Sequence, residues 1–169
     1  LQYNGAPQTT FMGAQHLAGL TCTGLADGEI IPNFVMPASG TFTLGAPASK
    51  VTVGLAYTPQ LQTLYLDTGN PTIQAKMKKI NAGTIRVTET LGLKIGTDFN
   101  NLVDMKDLII GNVGSMTNEV VTDLVTGDAR TFLDPKWQEQ GVYCIEQPYP
   151  YPASILGTIP QLTVGDTSK

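Results

Sequence analysis

The chain has 169 residues, of which 41% are hydrophobic and only 14% charged, with a formal charge of −4. That acidic balance argues against a dedicated nucleic-acid binder, whose domain is usually basic, and no run approaches the ~18 apolar residues of a membrane span. The charged share lies below the roughly 25% usual for soluble domains, as expected of a surface partly covered by other subunits or of a sparsely charged antiparallel sheet.

The opening, LQYNGAPQTT, lacks the basic and apolar regions of a signal peptide. With no initiator Met, it reads as the lead-in of a segment from a longer polypeptide. Leu20 to Ala26 alternates imperfectly. Asp27-Gly28 then supplies the positive-φ pair of a two-residue hairpin, and Glu29 to Val35 runs back. Pro32 cannot donate to a ladder, so this return strand belongs at an edge or a bulge. After a turn over 37–40, Thr41 to Leu44 alternates. Gly45 to Ser49 reads as another turn, and Lys50 to Leu55 places Val51, Val53 and Leu55 on one face. This rhythm of short strands and turns is that of a small barrel or sandwich.

Leu61 to Leu66 reads as a further strand. Ile73, Met77 and Ile80 fit helical spacing while Ile73, Ala75, Met77 and Lys79 fit alternation, and periodicity does not decide so short a run. Thr84 to Thr90 is rich in β-branched residues and is the clearest strand of the second half. It leads through Gly92 and Gly96 into a loop holding Asp98, Asn100 and Asn101. Asn118 to Val125 reads as a strand ending at Thr126-Gly127-Asp128, and Gly141 to Gln147 and Ile155 to Val164 as the last two. Between these lies Pro-Tyr-Pro-Tyr-Pro at 148–152, a polyproline II connector or an aromatic contact surface. The expected fold is all-β: an antiparallel small β-barrel or sandwich module with long loops and little helix. Residues 1–19 form the lead-in, 20–66 a barrel-like meander, and 67–169 the strands completing the same compact module.

Several phrases along the chain carry a resemblance. They are Gly13-Ala14-Gln15-His16-Leu17-Ala18-Gly19, Leu25-Ala26-Asp27-Gly28, the run from Ala48 to Tyr57, Gln62-Thr63-Leu64, Lys76 to Ile80, Leu124 to Asp128, Trp137 to Pro148 and Ile155 to Pro160. In order and spacing they resemble the C-terminal region of tail nozzle or tail tubular protein B-like structural proteins of short-tailed phages. Part of that region is similar in shape to the first catalytic-cysteine half-domain of ubiquitin-activating enzymes, which does not imply ubiquitin chemistry. Ala56 stands where the family usually has Pro, which loosens one turn.

The resemblance implies a module of a larger subunit that assembles as a hexameric ring with neighbouring tail proteins around a DNA conduit. It would reside in the virion, and in the host cytoplasm during assembly.

No catalytic motif is present: no G-x-S-x-G elbow, phosphate loop, dinucleotide fingerprint or H-E-x-x-H pair. The single histidine, His16, sits between glycines and suits packing or a turn better than general-base work. Cys22 and Cys144 lie in apolar settings and read as two buried free thiols. Asp98, Asp104 and Asp107, and Asp123, Asp128 and Asp134, lack the ligand spacing of a calcium loop. The expectation is therefore no enzyme, no cofactor and no metal.

Lys76, Lys78 and Lys79, with Arg86, are the one basic concentration, suited to non-specific DNA-phosphate contact or to subunit ion pairs. Trp137, Tyr149 and Tyr151 are candidates for an aromatic subunit interface. Stacked on sugars, they would instead make a tail-borne module for the host surface or its glycans.

Overall fold

The computed structural model describes residues 1–67, 69, 73–105, 123–134 and 136–165. Among them the chain is all-β, with antiparallel sheets and one 3₁₀ turn at Gln15–Leu17. It divides into two compact units, Leu1–Tyr57 and Thr58–Lys169. That division falls at neither boundary expected from sequence. Residues 1–19 are more than a lead-in, because ten of them form a strand of the first sheet.

The first unit contains β1 (Gln2–Phe11), β2 (Thr21–Ala26), β3 (Glu29–Val35) and β4 (Phe42–Leu55), in the order β1-β4-β2-β3. The β2–β3 hairpin turns at Asp27 and Gly28, whose φ values of 49° and 92° match the positive-φ pair that its sequence demands. β3 lies at a sheet edge with a register shift opposite it, as its Pro32 requires.

The turn expected over Gly45–Ser49 is absent, and β4 runs through it as a single strand of 14 residues. Its pairing with β1 is irregular there: β1 carries the extra residues between Asn4 and Gln8, and β4 carries them between Thr43 and Ala48. Gly24 makes the close packing of β2 on β4 feasible, since a Cβ there would fall 2.0 Å from the Thr52 carbonyl oxygen. Phe11, Leu17, Cys22, Ile31, Met36, Phe42, Val51 and Val53 fill the core. Phe42 stacks on Phe11 at 5.4 Å and tilts against Phe34 at 5.3 Å.

The second unit has two sheets. One joins four short strands, β5 (Gln60–Gln62), β7 (Lys94–Gly96), β8 (Leu102–Asp104) and β10 (Cys144–Glu146), in the order β5-β10-β7-β8. The other joins three longer strands, β6 (Lys78–Thr90), β9 (Val125–Phe132) and β11 (Ser154–Val164), in the order β11-β6-β9. Ile95 and Ile145 from the first sheet meet Ile80, Ile85, Val87 and Ala129 from the second in one core.

Three expectations change here. The run from Ile73 resolves into a turn over 74–75 followed by β6, so neither spacing holds across it: Ala75 lies in the turn, and within β6 Lys78 and Ile80, not Lys79, face inward. The strand expected over Leu61–Leu66 is shorter and ends at Gln62. Thr126-Gly127-Asp128 lies within β9 because Asp128 and Gly127 pair with Arg86 and Val87, while residues 118–122 and Asp107 lie outside the described residues. No described helix is long and apolar enough to cross a membrane.

Candidate functional site

The candidate residues all fall in the second unit, around the start of β6 and the outward face of its three-stranded sheet. A backbone bridge between Lys78 and Gln138, with N–H···O distances of 2.7 and 2.9 Å, lays residues 76–79 beside 136–139. This brings Lys79 and Trp137 together, the ammonium nitrogen standing 6.0 Å from the ring centroid. Trp137 is 49% exposed, and Lys76 and Lys79 are half-buried.

Lys78 does not join this surface, which corrects its assignment as a phosphate or subunit contact. It is only 2% exposed, and its ammonium donates to the Glu139 carbonyl at 2.7 Å and to the Lys76 carbonyl at 3.4 Å. Gly141, at φ 60°, lies against the lysine stem so closely that a Cβ would sit 2.5 Å from Lys78 Cδ. The charge is spent in holding two loops together.

Arg86 lies farther along β6 and faces outward, where it forks onto Asp128 of β9 at 2.7 and 2.8 Å. The Arg86 guanidinium holds the Asp128 carboxyl below its usual range, chiefly by hydrogen bonding. Arg86 is thus already paired within its own sheet. Arg130 donates to Gln161 at 2.7 Å and stands 5.2 Å from the Phe132 ring centroid, and Asn81 donates to Thr163 at 2.7 Å.

These cross-strand pairs leave an outward face with its polar groups tied to one another and large apolar side chains standing between them. Phe132 is 72%, Leu156 66% and Ile159 54% exposed. Sequence reasoning placed no contact role on these three, although the alternation within 155–164 already puts Leu156 on the face opposite Ile155.

Of the three aromatic candidates, Trp137 alone is exposed. Tyr151 is buried, which corrects its reading as an exposed contact, and its carbonyl accepts from Gln147 Nε2 at 3.3 Å. Tyr149 is half-buried, its backbone N–H donating to Gln147 Oε1 at 3.3 Å. Gln147 therefore organises the Pro-Tyr segment from beneath.

Both cysteines are free and buried. Burial, with the charge of Asp98 adding to it, pushes the Cys144 thiol pKa up and away from thiolate chemistry. His16 lies exposed on the 3₁₀ turn. Among the described residues no three His, Cys, Asp or Glu side chains cluster as metal ligands would.

Comparison with known proteins returned no matching family model and no matching curated sequence.

Proposed function

We propose that this chain is a structural module of a phage tail protein that braces a ring-shaped conduit for DNA through contacts with neighbouring subunits. The observation that carries this reading is the outward face of the β11-β6-β9 sheet. Its Arg86 is ion-paired with Asp128 and its Arg130 is hydrogen-bonded to Gln161, both within the same sheet, while Phe132, Leu156 and Ile159 stand in the open. Such a face gains by being covered, since burying a large apolar side chain is worth roughly 1.5–3 kcal/mol. The ordered phrases described above supply the setting: a larger subunit in a hexameric ring of the virion tail, assembled in the host cytoplasm.

In this role the chain transforms no molecule. Lys76 and Lys79 are the members of the basic group left to meet a phosphate or a neighbouring carboxylate, and any such contact would be salt-sensitive.

The test is incorporation. Gold-labelled antibody against the chain should decorate the tails of purified virions by electron microscopy. Ile159→Asp with Phe132→Asp should leave the fold intact by circular dichroism and abolish assembly into the tail. Labelling confined to capsids or to unassembled protein, or normal assembly of the double variant, would overturn the proposal.

A further inference from the structure

The first unit contains a slot between two strand edges that its own backbone does not fill. Among the described residues, β3 has β2 on one side alone. Of residues 42–48 of β4, Phe42, Thr43 and Ala48 pair with β1 on one side, and among the described residues β2 joins β4 only from Val51 onward. Between these two free edges run two adjoining cavities of about 560 and 550 Å³. The first is lined by residues 29–32 and 44–48, the second by 31–35 and 41–45, so they share Ile31, Pro32, Leu44 and Gly45. Consecutive residues on both walls mean that the trough follows backbone edges. Rising numbers on β3 meet falling numbers on β4, as in a hairpin that has not zipped.

The chain holds this hairpin open. At one end the rings of Phe34 and Phe42 meet at 5.3 Å. At the other the Asp27 carboxylate accepts the backbone N–H groups of Ser49 at 2.9 Å and Lys50 at 2.7 Å. Pro32 and Pro47 stand in the walls and have no N–H to donate across the gap. A trough fixed at both ends, whose walls are not paired to each other among the described residues, leaves backbone edges open to an added strand.

From this geometry we infer that the slot takes an extended, apolar segment of another polypeptide, laid in as an added strand with a lysine or arginine at the Glu29 end. Strand addition satisfies free backbone edges through main-chain hydrogen bonds, while side chains enter the apolar lining. The charge follows from the lining, which carries the carboxylates of Asp27 and Glu29 and no lysine or arginine. Asp27 already accepts two backbone N–H groups, and Glu29 stands exposed beside it.

A second copy of this chain is a poor donor of such a segment. Its lysine-bearing strands β6 and β7 each have neighbours on both sides, and the open edge of β4 before Val51 is itself a wall of the slot. Among the described residues, β9 is the one edge strand with a cation, and its Arg130 is committed to Gln161 and Phe132. The inference concerns the first unit alone and stands apart from the tail assignment.

The experiment selects a displayed library of random dodecapeptides on the immobilised full-length chain, then titrates the enriched peptides into the labelled protein. The expected consensus is an alternating apolar run with a terminal Lys or Arg, shifting backbone amides in residues 29–35 and 41–48. Gly45 lines both cavities, and a Cβ built on it meets nothing within 4 Å, so Gly45→Trp blocks the slot without strain in the fold. Its affinity for the enriched peptides should fall more than about tenfold. Glu29→Lys, at an exposed position, should turn selection toward peptides ending in Asp or Glu. No enrichment, shifts confined to other residues, or binding indifferent to both substitutions would overturn the inference. Self-association abolished by Gly45→Trp would assign the slot to a second copy and overturn it equally.

Discussion

The two units close their cores by different means. In the first, β1 and β4 span 10 and 14 residues, and the interior is apolar, centred on the Phe11–Phe42–Phe34 series. In the second, β5, β7, β8 and β10 are three residues each. Among the described residues, every buried polar or charged side chain falls in that unit: Lys78, Thr90, Thr97, Thr131 and Gln147.

The difference has a physical cause. Long strands satisfy their own backbone as they cover a core, whereas loops bring carbonyls inside with no ladder to meet them. Gln147 Nε2 answers the Leu91 carbonyl at 2.7 Å, and the Lys78 ammonium answers that of Glu139 at 2.7 Å. Gln147 and Lys78 thus serve the loops that cover this core.

Truncation in the aromatic series should have the largest effect. Phe42→Ala removes a ring that touches two others and is expected to destabilise the first unit by about 3–5 kcal/mol. Urea denaturation would measure the loss, and amide exchange would place it in β1 and β4. In the second unit Lys78→Met keeps the stem against Gly141 but removes the donor to Glu139. It should cost about 1–3 kcal/mol, because the part-buried Glu139 carbonyl loses a charged donor. The sole tryptophan, Trp137, lies next to Gln138, whose backbone bridges Lys78, and its fluorescence would follow that unit's transition. A Lys78→Met protein as stable as the parent would break the contrast between the two cores.

What was legible in the sequence follows the same division. The β2–β3 hairpin could be read because Asp27-Gly28 meets a local need for positive φ, and Pro32 announced its edge by the donor it lacks. The continuity of β4 could not be read, since Gly45 and Pro47 look like turn residues. Pairing with the distant β1 at Thr43 and Ala48, on either side of them, is what keeps them within one strand. Lys78 was illegible for a deeper reason. Its burial depends on the loop at 136–141, and no local pattern tells a lysine that will meet a distant carbonyl from one that will face solvent. The exposed apolar face was half legible: alternation parts Leu156 from Ile155, but the register shift between Ile155 and Gly157 that turns Ile159 to the same side as Leu156 left no local mark.

Tyr143 sharpens the comparison at high pH. Its hydroxyl is buried, and its approach to Thr158 falls short of hydrogen-bond geometry. Burial raises its pKa above the ordinary 10.0, an effect that Thr158 only partly offsets. The unfolded chain therefore loses this proton first, so stability holds below pH 10 and falls as pH rises from there toward the higher folded value. Tyr143→Phe should remove that alkaline fall while changing stability at neutral pH by less than about 1 kcal/mol. Urea midpoints on either side of pH 10 would measure both effects.

The smallest effect belongs to Arg86→Ala. The Arg86–Asp128 pair lies on the open face, with side-chain exposures of 57% and 43%, where water and salt screen its attraction. The guanidinium lowers the Asp128 carboxyl pKa below its ordinary 3.8, so the pair's contribution is present above that pH and is lost as the medium is acidified through the lower folded value. Arg86→Ala should therefore leave the urea midpoint nearly unchanged near neutral pH and flatten its acid limb, with the remaining difference vanishing in molar salt. Because this substitution spares the fold, it also separates stability from contact. It bares Asp128 on the face that holds Phe132, Leu156 and Ile159. An unpaired carboxylate there should weaken assembly with neighbouring subunits without weakening the chain itself. Equal assembly by Arg86→Ala and the parent would show that neighbours do not bury this part of the face.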